Sequence, residues 1–264
     1  MKSLLNSRVA FTLFGIDVYW YGVFITLGIL SAFIIAFFLC KKKGLNQDLP
    51  YYILLAVVPI GILSARLFSV IFEEGLTLKD YFDFRSGGMS IIGAVLGGAV
   101  GLTALCLVKK INFFELADIL VVVLILAQAI GRWGNYFNNE LYGQEITNEA
   151  WQFFPFAVKI NGTFYEALFF YESTLNILGF AGLMCLFWFT KEKGLCTGAY
   201  LSYYGIVRFF LEPRRQTEFI LKAGSIQVSR LLSLFMIIAG IIILAYVIYK
   251  KYSKQNKRNK VNEK

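Results

Sequence analysis

The chain has 264 residues, 58% of them hydrophobic and 16% charged, with a formal net charge of +9 and a mean hydropathy of +0.63. That balance excludes an ordinary soluble domain, because several uncharged apolar runs reach the length needed to cross a bilayer. No histidine occurs anywhere, which removes the commonest general base from any chemistry the chain performs.

The first apolar run, residues 18–40, is uncharged and would be about 35 Å long as a helix. It is too long for a signal-peptide core and no A-x-A pattern follows it, so it reads as a retained span. Further helices are predicted over 51–72, 89–108, 114–133, 171–190, 196–211 and 227–249. The fold class is therefore all-α polytopic membrane protein, with about seven transmembrane helices. The third span carries Gly93, Gly97 and Gly101 at four-residue spacing, one small-residue face suited to close helix packing in lipid. The aromatic-rich stretch that follows the fourth span lacks span character. Ala157–Ile160 and Thr163–Tyr165 flank Asn161-Gly162, which predicts a short hairpin. A small extracytoplasmic cap, about 134–170, thus sits between helices 4 and 5. One membrane domain covers 1–249, and the Lys-rich residues 250–264 read as a disordered cytoplasmic tail that can touch anionic lipid.

Alternate loops hold Lys41–Lys43, then Lys109 and Lys110, then Lys191 and Lys193, on the same side as the tail. The opposite loops carry Glu73, Glu74, Asp80, Asp83, Glu140, Glu145 and Glu149. The positive-inside rule puts the N-terminus outside and the C-terminus in the cytoplasm. It also accounts for the basic balance without nucleic acid. Cys40, Cys106, Cys185 and Cys196 have no metal-ligand spacing and read as reduced packing thiols, and no metal or organic cofactor is implied. Asp118, one turn after Glu115, reads as a structural charge near the start of the fourth helix.

On this topology nearly every charge in or beside a span gathers at the outer face. Tyr21, Arg66, Ser86–Ser90, Arg132, Tyr171-Glu172-Ser173, Arg208, Glu212 and Arg230 all fall there. Scattered anchors would occupy both faces. Glu140, Glu172 and Glu212 can neutralise some of the arginines, and Arg208 and Glu212 stand four apart on one helix face. Arg66, Arg132, Arg214 and Arg215 leave capacity for an anion, and the planar guanidinium suits phosphate oxygens. Each arginine alone could instead snorkel to the head groups. The group points to a phospholipid head-group site.

The densest polar stretch, Gly131-Arg132-Trp133-Gly134-Asn135-Tyr136-Phe137-Asn138-Asn139-Glu140-Leu141-Tyr142-Gly143, lies where the fourth apolar run stops. It resembles the signature of the prolipoprotein diacylglyceryl transferase family, G-R-x-G-N-F-x-N-x-E-x-x-G, with Tyr136 in place of phenylalanine. Trp20-Tyr21-Gly22, Ala65-Arg66-Leu67, Gly87-Gly88-Met89-Ser90, Phe170-Tyr171-Glu172-Ser173 and Gly205–Glu212 extend the resemblance in the family's order over the whole membrane domain. The resemblance implies transfer of a diacylglyceryl group from phosphatidylglycerol to the lipobox cysteine in the signal peptide of a prolipoprotein, with release of glycerol phosphate. It implies catalytic roles for Arg132, Arg208, Glu140, Glu212 and Tyr21. Arg132, Asn135, Asn138, Gly143, Arg66 and Arg215 are the expected substrate-binding residues. Glu140 and Glu212 are the candidate bases for the thiol, although each equally suits a salt bridge to an arginine, the reading preferred here.

Two departures stand out. Where many members have a histidine two residues after G-G-M-S, this chain has Ile92. Where members often have H-P before the tyrosine-glutamate motif, it has Glu166 and Ala167. These admit a second reading, a diverged homologue that binds anionic phospholipid as an accessory membrane protein. A transporter would place its site near the bilayer midplane between internal repeats, and no repeat is present.

Overall fold

The computed structural model describes residues 8–72, 77–83, 88–217, 222–223 and 226–262. Glu73, Glu74, Ser86, Gly87 and the last two tail residues lie outside these. The chain is an all-α polytopic membrane protein built on seven long helices among the described residues. They are α1 (Trp20–Lys43), α2 (Leu49–Phe72), α3 (Ile91–Lys109), α4 (Phe113–Asn138), α5 (Leu168–Phe189), α6 (Leu195–Leu211) and α7 (Val228–Asn262). Six of them are long and apolar enough to cross a membrane. The exception is α6, whose 17 residues include Arg208. A wider helical turn at Ile53–Val57 interrupts α2.

Two compact units divide the chain, Phe33–Ile119 and a second formed by Met1–Ala32 with Leu120–Lys264. In the first, α2 packs on α3 through the predicted glycine face. A Cβ at Gly93 would meet Phe68 and the Ser64 carbonyl, one at Gly97 would collide with the Ser64 side chain, and one at Gly101 would press on Ile60. Gly98 points into open space, so the contact is one-sided. Arg66 is fully buried in this unit. Its Nε and Nη2 donate to the Asp80 carbonyl at 3.1 and 2.7 Å, and its Nη1 donates to the Gly88 carbonyl at 2.9 Å. Asp80 itself closes a capping box with Thr77, whose side-chain and backbone hydrogen bonds hold the carboxyl below its ordinary range.

In the second unit, a hairpin that the sequence reading missed precedes α1. Its strands β1 (Val9–Leu13) and β2 (Ile16–Tyr19) pair antiparallel, so the first two residues of the expected span are extended. The predicted hairpin after α4 is present, with β3 (Ala157–Ile160) and β4 (Thr163–Glu166) joined by Asn161 and Gly162, both at positive φ. Helix α4 runs five residues beyond its expected end and carries the first half of the signature. It stops at a Schellman turn. Asn139 is left-handed at φ 53°, its N–H reaches the Tyr136 carbonyl, and the Glu140 N–H reaches the Asn135 carbonyl. Nothing between Val228 and Asn262 breaks the last helix, which carries neither proline nor a late glycine. It therefore continues through residues 250–262, in contrast to the expected disordered tail.

Candidate functional site

Helices α4, α5 and α6 run alternately up and down, so the C-terminal turns of α4 and α6 meet the N-terminal turn of α5. Arg132 comes from the first, Glu172 from the second and Arg208 from the third, with Glu212 directly after its last residue. The short helical turn Glu212–Arg214 then delivers Arg215. Glu172, 3% exposed, is the hub. Its Oε1 accepts from Arg132 Nη2 at 2.6 Å. Its Oε2 accepts from Arg208 Nη1 at 3.4 Å and from Arg215 Nη2 at 3.3 Å. The Tyr204 hydroxyl donates to Oε1 at 3.4 Å. Glu212 is also buried and faces Arg208 Nη2 at 2.5 Å and Arg215 Nη1 at 3.5 Å.

Three guanidinium groups therefore surround two carboxylates. One positive charge is left over in a poorly solvated place, where electrostatics are screened least. Arg215 feels this surplus. Burial, and the nearby charges of Arg208 and Arg132, bring its pKa down to about 10 despite Glu172 and Glu212. It stays charged at neutral pH and gains from any added anion. A phosphodiester carries one negative charge and complements the cluster.

The surroundings fix this geometry. Arg132 Nη1 donates to Asn135 Oδ1 at 3.4 Å. Trp133 Nε1 donates to Ser173 Oγ at 3.2 Å, and Ser173 Oγ donates to the Ala129 carbonyl at 2.8 Å, locking α4 to α5. The Trp133 and Tyr136 rings pack on Phe169. One turn from the cluster, Gln128 and Tyr200 hydrogen-bond to each other. The second half of the signature leaves the helix as an irregular turn, with Leu141 also left-handed at φ 56°, and becomes tied down at Gly143: its N–H donates to the Glu166 carbonyl at 2.9 Å, and it forms a bridge with Arg215. A Cβ at Gly143 would sit 2.6 Å from Glu166 Cβ, so only glycine lets the strands approach this closely. Gln216 Nε2 closes the other side by donating to the Gly143 carbonyl at 2.9 Å.

Of the expected residues, Arg132, Asn135, Arg208, Glu212 and Arg215 are brought together. Gly143 joins them through its backbone. Tyr21 is half-exposed and lays its ring over Gly134, where a Cβ would meet it at 2.8 Å. Asn138 Nδ2 donates to Glu140 Oε1 at 3.4 Å, and among the described residues Glu140 makes no ion pair. Arg66 belongs to the other unit, where the guanidinium donors described above go to backbone carbonyls. Glu166, at the first position of the missing H-P pair, pairs with Arg214 at 2.6 Å. The sequence reading counted Glu172 only as a counter-charge and passed over Tyr204. The signal was available: Tyr200, Tyr204, Arg208 and Glu212 recur every four residues on one helix face.

A sequence model of the family described as "Prolipoprotein diacylglyceryl transferase" matches residues 8–246. The chain is 37% identical over 249 residues to "Phosphatidylglycerol--prolipoprotein diacylglyceryl transferase" of Finegoldia magna, covering 93% of this chain and 96% of the relative. It is 37% identical over 254 residues to "Phosphatidylglycerol--prolipoprotein diacylglyceryl transferase 1" of Clostridium perfringens, covering 92% and 95%. Against the protein of the first name from Clostridioides difficile it is 36% identical over 246 residues, covering 91% and 95%. With the signature, the charged cluster and these matches spanning nearly the full length, the chain belongs to the prolipoprotein diacylglyceryl transferase family.

Proposed function

We propose that this protein transfers the diacylglyceryl group of phosphatidylglycerol to the lipobox cysteine thiol of prolipoproteins. The observation that carries the reading is the buried cluster of three arginines and two glutamates, with its surplus positive charge, to which the family signature contributes Arg132. The names borne by the relatives give the same two substrates.

In the reaction the acceptor sulfur attacks the glyceryl carbon. A C–S bond forms, the C–O bond to phosphate breaks, and glycerol phosphate leaves with the bonding electrons. Arg132 and Arg208 take the phosphate, with Arg215 beside them, and stabilise the charge that grows on it. Asn135 orients Arg132. Glu172 holds the three guanidinium groups in one place, and Glu212 acts as their second counter-charge. Glu140, which pairs with no arginine among the described residues, accepts the thiol proton, since thiolate is the nucleophile. Tyr21 and Gly143 shape the cavity.

The membrane arrangement we propose has seven crossings, with α6 as the shortest. The N-terminus is outside, the segment between α4 and α5 is an extracytoplasmic cap, and the C-terminus is cytoplasmic. The lysines that alternate between loops support it.

The test uses purified protein with phosphatidylglycerol and a lipobox peptide. Mass spectrometry should find a diacylglyceryl adduct on the peptide cysteine, with glycerol phosphate released. Folded protein that binds the lipid but yields no adduct would refute the reading.

A further inference from the structure

The hairpin β1–β2 has two unlike faces. Leu13 pairs with Ile16 and Phe11 with Val18 on one of them, while Thr12 pairs with Asp17 on the other. On the polar face the Thr12 hydroxyl donates to Asp17 Oδ1 at 2.6 Å. On the apolar face Phe11, Leu13 and Ile16 are each more than half exposed. At the tip, Phe14 is 96% exposed and held at φ 50° beside Gly15 at φ 78°.

A two-stranded hairpin is marginal in water, and one that turns an apolar face outward has nothing there to stabilise it. What covers this face follows from what the hairpin joins. Tyr19 ends β2 and Trp20 begins α1 with no linker between them, and Trp20 N–H donates back to the Arg8 carbonyl at 3.0 Å. The Trp20 ring stacks on Phe137 at 4.9 Å. The exposed apolar surface continues down the spanning helix through Ile25, Leu27 and Leu30. The hairpin is thus continuous with a surface that faces lipid, at the end where α1 enters the membrane.

We propose that β1–β2 is an interfacial anchor, lying at the boundary of head groups and acyl chains with Phe14 and the Phe11–Leu13–Ile16 face immersed and Thr12–Asp17 toward water. Tyr21, two residues beyond the hairpin, packs on Gly134. The anchor therefore sets the depth of the signature turn relative to the lipid phosphates.

Nitroxide labels at Phe14→Cys and Asp17→Cys test this in the full chain, in a Cys185→Ser background that removes the exposed native thiol. The protein is placed in phosphatidylglycerol-containing vesicles. The label at 14 should collide several-fold more with oxygen than with a water-soluble nickel chelate, and the label at 17 should show the reverse. Equal nickel access at both positions would overturn the proposal. So would a label at 14 that is shielded only after lipobox peptide is added, which would make the partner a polypeptide. Should the cysteine variants fail to fold, Phe14→Trp provides the second probe. Its fluorescence should be quenched by acyl-brominated lipid, and an unquenched tryptophan would contradict the anchor.

Discussion

Glu172→Gln keeps the shape of the hub and removes its charge. In the folded protein three arginines lose a shared partner at 2.6, 3.4 and 3.3 Å, and Glu212 alone remains to oppose them. Breaking a buried pair by removing one partner costs about 3–5 kcal/mol. For a chain of this size that corresponds to a fall in melting temperature of roughly 6–20 °C. The amide also turns an N–H toward the guanidinium groups, which adds to the loss. The cluster's surplus rises from one positive charge to two. An added anion should therefore recover more stability in the variant than in the wild type. Thermal unfolding in detergent, with and without phosphatidylglycerol, reads both effects. A variant that melts like the wild type, or that gains no more from the anionic lipid, would refute the charge reasoning.

Other substitutions separate the parts of the site. Gly143→Ala forces a Cβ to within 2.6 Å of Glu166 and should cost about 1–3 kcal/mol, seen as lower melting and lower transfer, because Arg215 is tied to the same strand. Arg214→Ala breaks an ion pair whose arginine is 59% exposed, so it should cost no more than about 1 kcal/mol, and less still at high salt. Glu140→Gln should lower the transfer rate by roughly 10²–10⁴-fold while leaving phosphatidylglycerol binding intact, measured by lipid titration beside the peptide assay.

Much of this architecture can be read in the sequence because hydrophobic length speaks plainly in a membrane protein. The helices, the glycine face of α3 and the Asn161-Gly162 hairpin all follow from periodicity and turn chemistry. The β1–β2 hairpin does not, since Phe14-Gly15 is a poor turn signal and its strands merge with an apolar run. The end of α4 was misplaced because glycine and asparagine usually stop helices, whereas Gly134 is there to receive the Tyr21 ring and the true stop is Asn139. In the site, the arginines and Glu212 stood out as costly charges. What one dimension could not show was the centre. Glu172 is 40 residues from Arg132 and 36 from Arg208, and only the antiparallel packing of α4, α5 and α6 makes it their common partner. Arg66 resembles its fellow arginines by residue type, and residue type does not reveal its hydrogen bonds to the backbone carbonyls of Asp80 and Gly88.

The central claim is that the arginine cluster stabilises the departing phosphate, and the most direct measurement is single-turnover transfer by Arg132→Ala and Arg208→Ala against wild type. Each variant would first be shown to be folded and saturated with phosphatidylglycerol. Losing one such donor should slow thioether formation and glycerol phosphate release together, by about 10²–10³-fold. Unchanged single-turnover rates in both variants would contradict the account.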